Sequence, residues 1–274
     1  MSTKADRSKL AADVAAADWY HTVELPGGLR TPGMYDTPEI VRRFPFPQSL
    51  EGKRCLDVGT ANGFWAFEME RRGASEVVAI DIDDPAQYDW PKPLPDNLTR
   101  PANREVGPNR GFQIAHAALG SSVERVATRV YDLPEAGIGE FDFVFMGALM
   151  LHLRDPVGAL MAVRQVTRGE FMSADSVSLS TSLSHPLTAA GVLRGAEEPR
   201  WWTPNLLGYR RLVKASGFKI EEKGGIFFMP FGEGFPPYRP LREVPRHELP
   251  SDLAFRLAIR RLGAASSWVR CSPG

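Results

Sequence analysis

The segment Leu56-Asp57-Val58-Gly59-Thr60-Ala61-Asn62-Gly63 carries a carboxylate and two glycines in the spacing D-x-G-x-x-x-G. An apolar run precedes it and a helical pattern follows, and that context gives the spacing its chemical meaning. Glycines let a ligand approach the backbone closely, while a carboxylate at the end of a strand accepts hydrogen bonds from a ligand or from loop amides. About 20 residues later Asp81 ends a second apolar run, where an acidic side chain can take both hydroxyls of a ribose. Together these features predict a nucleotide site. The alternative is that Gly59 and Gly63 serve only a tight turn and that Asp81 caps a helix. The G-x-G-x-x-G spacing of dinucleotide-binding oxidoreductases is absent from residues 59–63, which makes NAD the weaker ligand.

Three histidines are candidates for acid–base work, because the ordinary imidazole pKa lies near 6.5. His152 follows a later apolar run, His185 stands in Ser184-His185-Pro186, and His21 adjoins Trp19 and Tyr20. For each, a structural role is the competing reading. Asp175 can orient a histidine or bind a divalent ion, but no second acid completes an oxygen-ligand cluster, so no metal is assigned. Trp19, Tyr20, Trp201 and Trp202 offer aromatic faces for a substrate, or for core packing.

These residues need a scaffold that brings strand ends together. Residues 5–17 read as a helix, followed by a Gly/Pro-rich turn at 26–33 and a short helix starting near Thr37-Pro38. From residue 53 the pattern alternates. Strands are expected at 54–58 and 76–80, then one ending at Tyr131, and at 141–146, 170–174 and from 218. Helices are expected to about 72, at 111–119, 156–167 and 204–215. Such alternation predicts an α/β domain with a doubly wound, mostly parallel sheet. Residues 84–110 shift to Pro, Asn, Asp and Arg and read as an insertion, as does a Pro-rich stretch near 230–252. A helix at 253–262 and an edge strand at 267–271 close the pattern. The expected division is a helical cover at 1–52 and the main domain at 53–274.

The chain has 274 residues and 43% hydrophobic content, enough for one such domain. Thirty-three basic residues balance thirty-three acidic ones, which gives no general attraction to nucleic acid or an anionic membrane. With two cysteines and no CxxC pair, neither a disulfide framework nor a zinc site is indicated, and a reducing cytoplasm fits. No apolar stretch reaches the roughly 20 residues of a membrane helix.

Through most of its length the chain resembles class I methyltransferases, Rossmann-like enzymes with a seven-stranded sheet that use S-adenosylmethionine (SAM). The resemblance implies that Asp57, Gly59, Ala61 and Gly63 face the methionine part of SAM and that Asp81 with Ile82 holds the ribose. It further implies that Asp132 with Leu133 contacts adenine and that Gly147 belongs to the fourth-strand block lining the cofactor. A narrower resemblance, to the tRNA wobble-uridine carboxymethoxy methyltransferase group, rests on four stretches. They are Trp19-Tyr20-His21-Thr22 with Thr31-Pro32-Gly33, residues 56–65, residues 147–156, and Trp202-Thr203-Pro204-Asn205 before Gly217-Phe218. That group uses a carboxylated SAM read partly by a tyrosine before its loop histidine. Here Leu151 stands there, in a loop one residue longer, so ordinary SAM is expected. The resemblance also implies that the N-terminal segment packs over the SAM pocket.

The expected activity is methylation of a hydroxyl on a small molecule, such as a sugar or secondary metabolite, with a histidine as base. Oxygen is favoured because no Asn/Asp-Pro-Pro-Tyr block follows the fourth strand. The alternatives are a tRNA methyltransferase and a SAM-binding partner protein without catalysis.

Overall fold

The computed structural model describes residues 4–91, 109–193, 199–236, 242 and 262–274. Its centre is set by the apolar runs. Strand β1 (Arg54–Val58) lies between β2 (Glu76–Asp81), which leads outward to β3 (Glu124–Ala127), and β4 (Phe141–Gly147), which leads to β5 (Thr167–Ser176). All these pairings are parallel. Beyond β5 come β6 (Phe218–Lys223), β7 (Phe227–Met229) and β8 (Ala264–Pro273), giving the order β6-β8-β5-β4-β1-β2-β3 with β7 beside β8. The expected doubly wound, mostly parallel sheet of the Rossmann-like methyltransferase fold is present.

Alternation along β4 shows why its run is apolar throughout. Phe143 and Phe145 point to one layer, while Val144 and Met146 point to the other, and all four are fully buried. Each such side chain contributes roughly 1.5–3 kcal/mol on leaving water. The first layer holds α3 (Phe64–Arg71), with Trp65 against Phe145, and α4 (Arg110–Leu119). The N-terminal segment joins it through Trp19, Val23, Ile40, Phe44 and Phe46, with Ile40 on α2 (Thr37–Arg43) and the two phenylalanines just after it. Ahead of these, α1 (Lys4–Ala15) packs on α4. The opposite layer holds α5 (Pro156–Gln165) and α7 (Leu206–Ala215), with Leu160, Val163, Tyr209 and Val213 inward.

Caps fix where the later helices begin. Asp155 accepts from Gly158 N at 2.8 Å ahead of α5, and Asn205 does the same for Gly208 N at 2.8 Å ahead of α7. Both starts lie on the sheet's carboxyl edge, where the connections after β4 and β5 gather.

Several boundaries differ from expectation. The strand expected to end near Tyr131 stops at Ala127, and residues Val130–Glu135 form a 3₁₀ turn. Its partner explains this: Ala127 pairs with Asp81, the last residue of β2, so the ladder has nothing further to bind. The strand expected at 267–271 is longer and is not an edge. It lies antiparallel between β5 and β6, and its Val269 and Cys271 are buried. The strand at 170–174 extends back to Thr167, which pairs with Phe141 of β4, and on to Ser176, which pairs with Ser266 of β8. An extra helix α6 (Leu179–Ser184) and a short hairpin, Gly191–Leu193 with Trp202–Pro204, follow β5. The helix expected at 253–262 lies outside the described residues except for Leu262, as does most of each insertion. Among the described residues no helix is long and apolar enough to cross a membrane.

Candidate active site

The glycine turn after β1 is held open by its neighbours. Gly59 has φ +77°, and a Cβ there would stand 3.0 Å from Leu149 Cδ2, so the missing side chain lets the loop after β4 close onto the turn. Ala61 also adopts a left-handed φ of +47°, and its N–H donates to Asp81 Oδ2 at 2.6 Å. The other oxygen, Asp81 Oδ1, accepts from Ile82 N at 2.7 Å. Burial pushes this carboxyl above its ordinary pKa against those donors and the nearby Arg125.

Gly59, Ala61, Asp81 and Ile82 open onto a cavity of about 1010 Å³ at the carboxyl edge of the sheet. Asp132, Gly147, His152 and Tyr20 line it as well, so eight of the residues singled out in the sequence converge there. Its volume sits at the upper end of the roughly 300–1,000 Å³ range of small-molecule sites, room for a nucleoside and a second small molecule. A carboxylate beside a turn with only Gly59 and the small Ala61 facing the cavity fits a ribose with an amino-acid tail; the cavity wall therefore suits SAM.

Other candidates lie elsewhere. Gly63 (φ +88°) caps α3 in the left-handed region, and a Cβ on it would meet Phe67 and Phe112 at 2.5–2.8 Å; it packs rather than faces the cavity. Asp57 lies beneath the turn. Its Oδ2 has no hydrogen-bond partner, and burial pushes its pKa up to about 7. The Leu133 side chain belongs to the core, and the Trp19 Nε1–H is spent on Val14 O at 2.9 Å. His185 is exposed after α6, with Nδ1 2.8 Å from Ser184 Oγ, away from the cavity. Trp202 is exposed and reaches Arg154 O at 3.4 Å. Asp175 braces the loop after β4. Its Oδ2 accepts from Met150 N at 2.8 Å and its Oδ1 from Ser176 N at 2.7 Å, fixing the loop that carries His152, while burial pushes its pKa up to about 7.

Two histidines occupy different settings. His21 is 4% exposed, its Nδ1 has no partner, and burial pulls its pKa down to about 3. It lines a small pocket of about 20 Å³ behind Gly147, next to Tyr20 and Tyr35. His152 faces the large cavity. Its Nδ1 is hydrogen-bonded to Pro199 O, and because a carbonyl only accepts, Nδ1 carries the proton and Nε2 keeps the lone pair. Burial draws its pKa down to about 4, with the Arg200 charge acting in the same direction, so the ring is neutral at pH 7.

Sequence reasoning missed Asn62. Its Oδ1 accepts from Tyr20 N at 2.6 Å and His21 N at 3.2 Å, and its Nδ2 donates to Asp18 O at 3.2 Å. The turn at the cavity wall is thereby tied to the N-terminal segment; an amide between the two glycines was the only signal. Replacing Asn62 with Ala should cost about 1–3 kcal/mol, since two backbone donors lose their acceptor. Denaturant unfolding measures it, and unchanged stability would remove the tether.

Also missed were Tyr88, Asp89 and Trp90, which line the cavity within the insertion. Asp89 Oδ2 accepts from Tyr131 Oη at 2.7 Å and from Arg154 N at 2.8 Å, and Asp89 O accepts from Trp201 Nε1. Trp201 is thus a support at the rim, its backbone N–H donating to Leu151 O at 2.8 Å.

Residues 35–223 match a family model described as a methyltransferase domain. Over 150 residues the chain is 31% identical to a ubiquinone biosynthesis O-methyltransferase of Neisseria meningitidis serogroup C (strain 053442), covering 54% of this chain and 52% of that protein. The chain thus spans about half the length of that relative. Over 122 residues it is 30% identical to a tRNA U34 carboxymethyltransferase of Alcanivorax borkumensis, covering 44% and 30%. Among solved structures, the N-terminal domain of EvdMO1 in the presence of SAH and D-fucose is similar with a TM-score of 0.57 at 13% identity, covering 98% of this chain and 97% of that one. The [4+2]-cyclase SpnF is similar with a TM-score of 0.53 at 13% identity, covering 97% and 92%. At that identity the structures share the fold alone.

Proposed function

The chain belongs to the methyltransferase-domain family, in its class I, SAM-dependent form, and on that premise we propose that it methylates a hydroxyl group of a small molecule. The observation that carries this reading is His152: a neutral imidazole on the cavity wall with its proton fixed on Nδ1 and its basic Nε2 available. Bound SAM would supply an electrophilic methyl group for the acceptor oxygen, the carbon–sulfur bonding pair staying on sulfur, and His152 Nε2 would take the acceptor proton.

Asp81 and Ile82 would hold the ribose, the turn at Gly59 and Ala61 would admit the methionine part, and Asp132 would lie at the adenine end. Asp132 is half-exposed and paired with Arg129 at 2.7 Å, so it would act at the rim. Tyr20, with residues 1–52 as a cover over the turn, would form the side next to the acceptor. The two buried free cysteines, Cys55 and Cys271, suit a reducing cytoplasm.

The similarity to a tRNA U34 carboxymethyltransferase favours a second reading. Leu151, where the sequence comparison expects a tyrosine, is 6% exposed and in the protein interior. A carboxylated SAM would therefore miss that partner. Calorimetric titration with SAM, carboxylated SAM and NAD, followed by assay of a hydroxylated acceptor panel, separates the readings. SAM binding with methyl transfer to a small hydroxyl compound is expected; preference for carboxylated SAM with salt-sensitive tRNA binding would replace it, and SAM binding without turnover on any acceptor would leave a binding protein.

A further inference from the structure

Helix α7 turns Tyr209 and Val213 to the core, which places Leu207, Arg210, Arg211 and Lys214 on its outward face. With Ile220, Glu221 and Lys223 of β6, the border strand, they line a second cavity of about 680 Å³. Strands β8 and β5 lie between β6 and β4, and among the described residues the two large cavities share no lining residue.

Four cations meet one carboxylate in this second cavity. Glu221 is already engaged, because its Oε1 lies 2.9 Å from Lys219 Nζ and accepts from Ser272 Oγ at 2.7 Å. Arg211, Lys214 and Lys223 make no hydrogen bond or ion pair among the described residues. Arg210 is only partly used: its Nη2 donates to Gly224 O at 2.7 Å, while its buried Nε has no partner. Burial also pulls the pKa of this guanidinium below its ordinary value. A solvated helix face ordinarily mixes charges of both signs. Helix α7 has no acidic residue, so Lys214 faces Arg210 and Arg211 at spacings of four and three with only repulsion between them. An anion in the cavity would relieve that repulsion.

We propose that this cavity is a second ligand site, for a compact soluble molecule carrying two or more phosphate groups. Guanidinium forks match phosphate oxygens in pairs, and the lysines add point charges from both α7 and β6. The volume lies inside the roughly 300–1,000 Å³ range of small-molecule sites. Over the whole chain thirty-three basic residues are balanced by thirty-three acidic ones, which favours a small ligand over an extended nucleic acid that draws its affinity from many phosphate contacts. The site is independent of the methyl-transfer reading.

The probe is inorganic tripolyphosphate, which lacks the nucleoside that the other cavity suits. Calorimetric titration, with S-adenosylhomocysteine present to occupy that other cavity, should show one molecule bound per chain and an affinity that falls as salt rises. Arg211→Gln combined with Lys214→Gln should weaken binding about tenfold. Glu221→Gln should strengthen it about two- to fivefold, since a like charge leaves the site. Neither variant should change the affinity for S-adenosylhomocysteine. In the wild-type protein, which needs no substitution to fold, tripolyphosphate should shield Lys214 and Lys223 from acetylation and leave the exposed Lys9 reactive, read by mass spectrometry. Absence of binding at low salt would overturn the site, as would unshielded lysines or an affinity indifferent to the paired substitution. Binding of tRNA by a protein that ignores tripolyphosphate would also overturn it and make this face a nucleic-acid contact.

Discussion

Substitution of His152 by Ala should lower turnover by roughly 100-fold to 10,000-fold, the range for a general base, while leaving SAM affinity within about twofold of wild type. The split follows from position. His152 comes from the loop after β4 and Asp81 from the end of β2, and the His152 backbone N–H donates to Leu149 O at 2.9 Å, so the loop keeps its backbone anchor when the ring is removed. The pH profile adds a sharper signature. A histidine at its ordinary value would lose activity below about pH 6.5. Here burial holds the folded-state pKa near 4, so the base form persists on acidification and its limb should appear near pH 4. Single-turnover measurements across pH 3.5–8 give both quantities, and an acid limb near 6.5 that survives in His152→Ala would assign the base to another group.

Asp81 to Ala should raise the dissociation constant for SAM about 10-fold to 150-fold, equivalent to roughly 1.5–3 kcal/mol for a charge-assisted hydrogen bond. Two effects contribute. The carboxylate would hold the ribose, and it already holds the turn through Ala61 N and Ile82 N. Asp81→Asn separates them, because its amide oxygen can still accept one backbone N–H while the charge is gone. If Asn restores the turn without restoring affinity, the ribose contact carries the loss; if Asn restores both, Asp81 acts through the turn alone. Unchanged SAM affinity in Asp81→Ala would remove the nucleotide assignment.

The layout of the cavity wall at Gly59 and Asp81 was legible in the sequence because it is local. A strand, a glycine turn and a following helix occupy about 20 contiguous residues, and their periodicity changes where the turn begins. Gly59 and Asp81 could be placed on one sheet edge before any contact was known. The roles of Asp57, Gly63 and Asp175 were not legible in the same way. Each sits at the right edge, but whether a side chain faces a cavity or the core is decided by packing partners distant in the chain, such as Phe112 against Gly63 and the Met150 amide on Asp175. The cavity wall at Tyr88 and Trp90 was hidden for another reason. Residues 84–110 lack periodicity, so Tyr88 and Trp90 gave no signal beyond their aromatic type. The ladder end at Ala127 was likewise set by the length of β2, a property of the partner strand and not of residues 124–131.

The place of β8 bears on how this molecule is made. Strand β5, with Phe171, Met172 and Ala174 already apolar, must wait for residues 264–273 before its outer rim is covered, because β6 reaches the sheet only through β8. During synthesis from the N-terminus, the parallel half can assemble early while the edge of β5 from Phe171 to Ser176 stays unpaired. Non-local pairing of this kind is slow, and an uncovered strand is a template for mispairing between nascent chains. Yield on expression should therefore respond more to growth temperature and chaperone supply than to any surface substitution, with the vulnerable interval ending when β8 inserts.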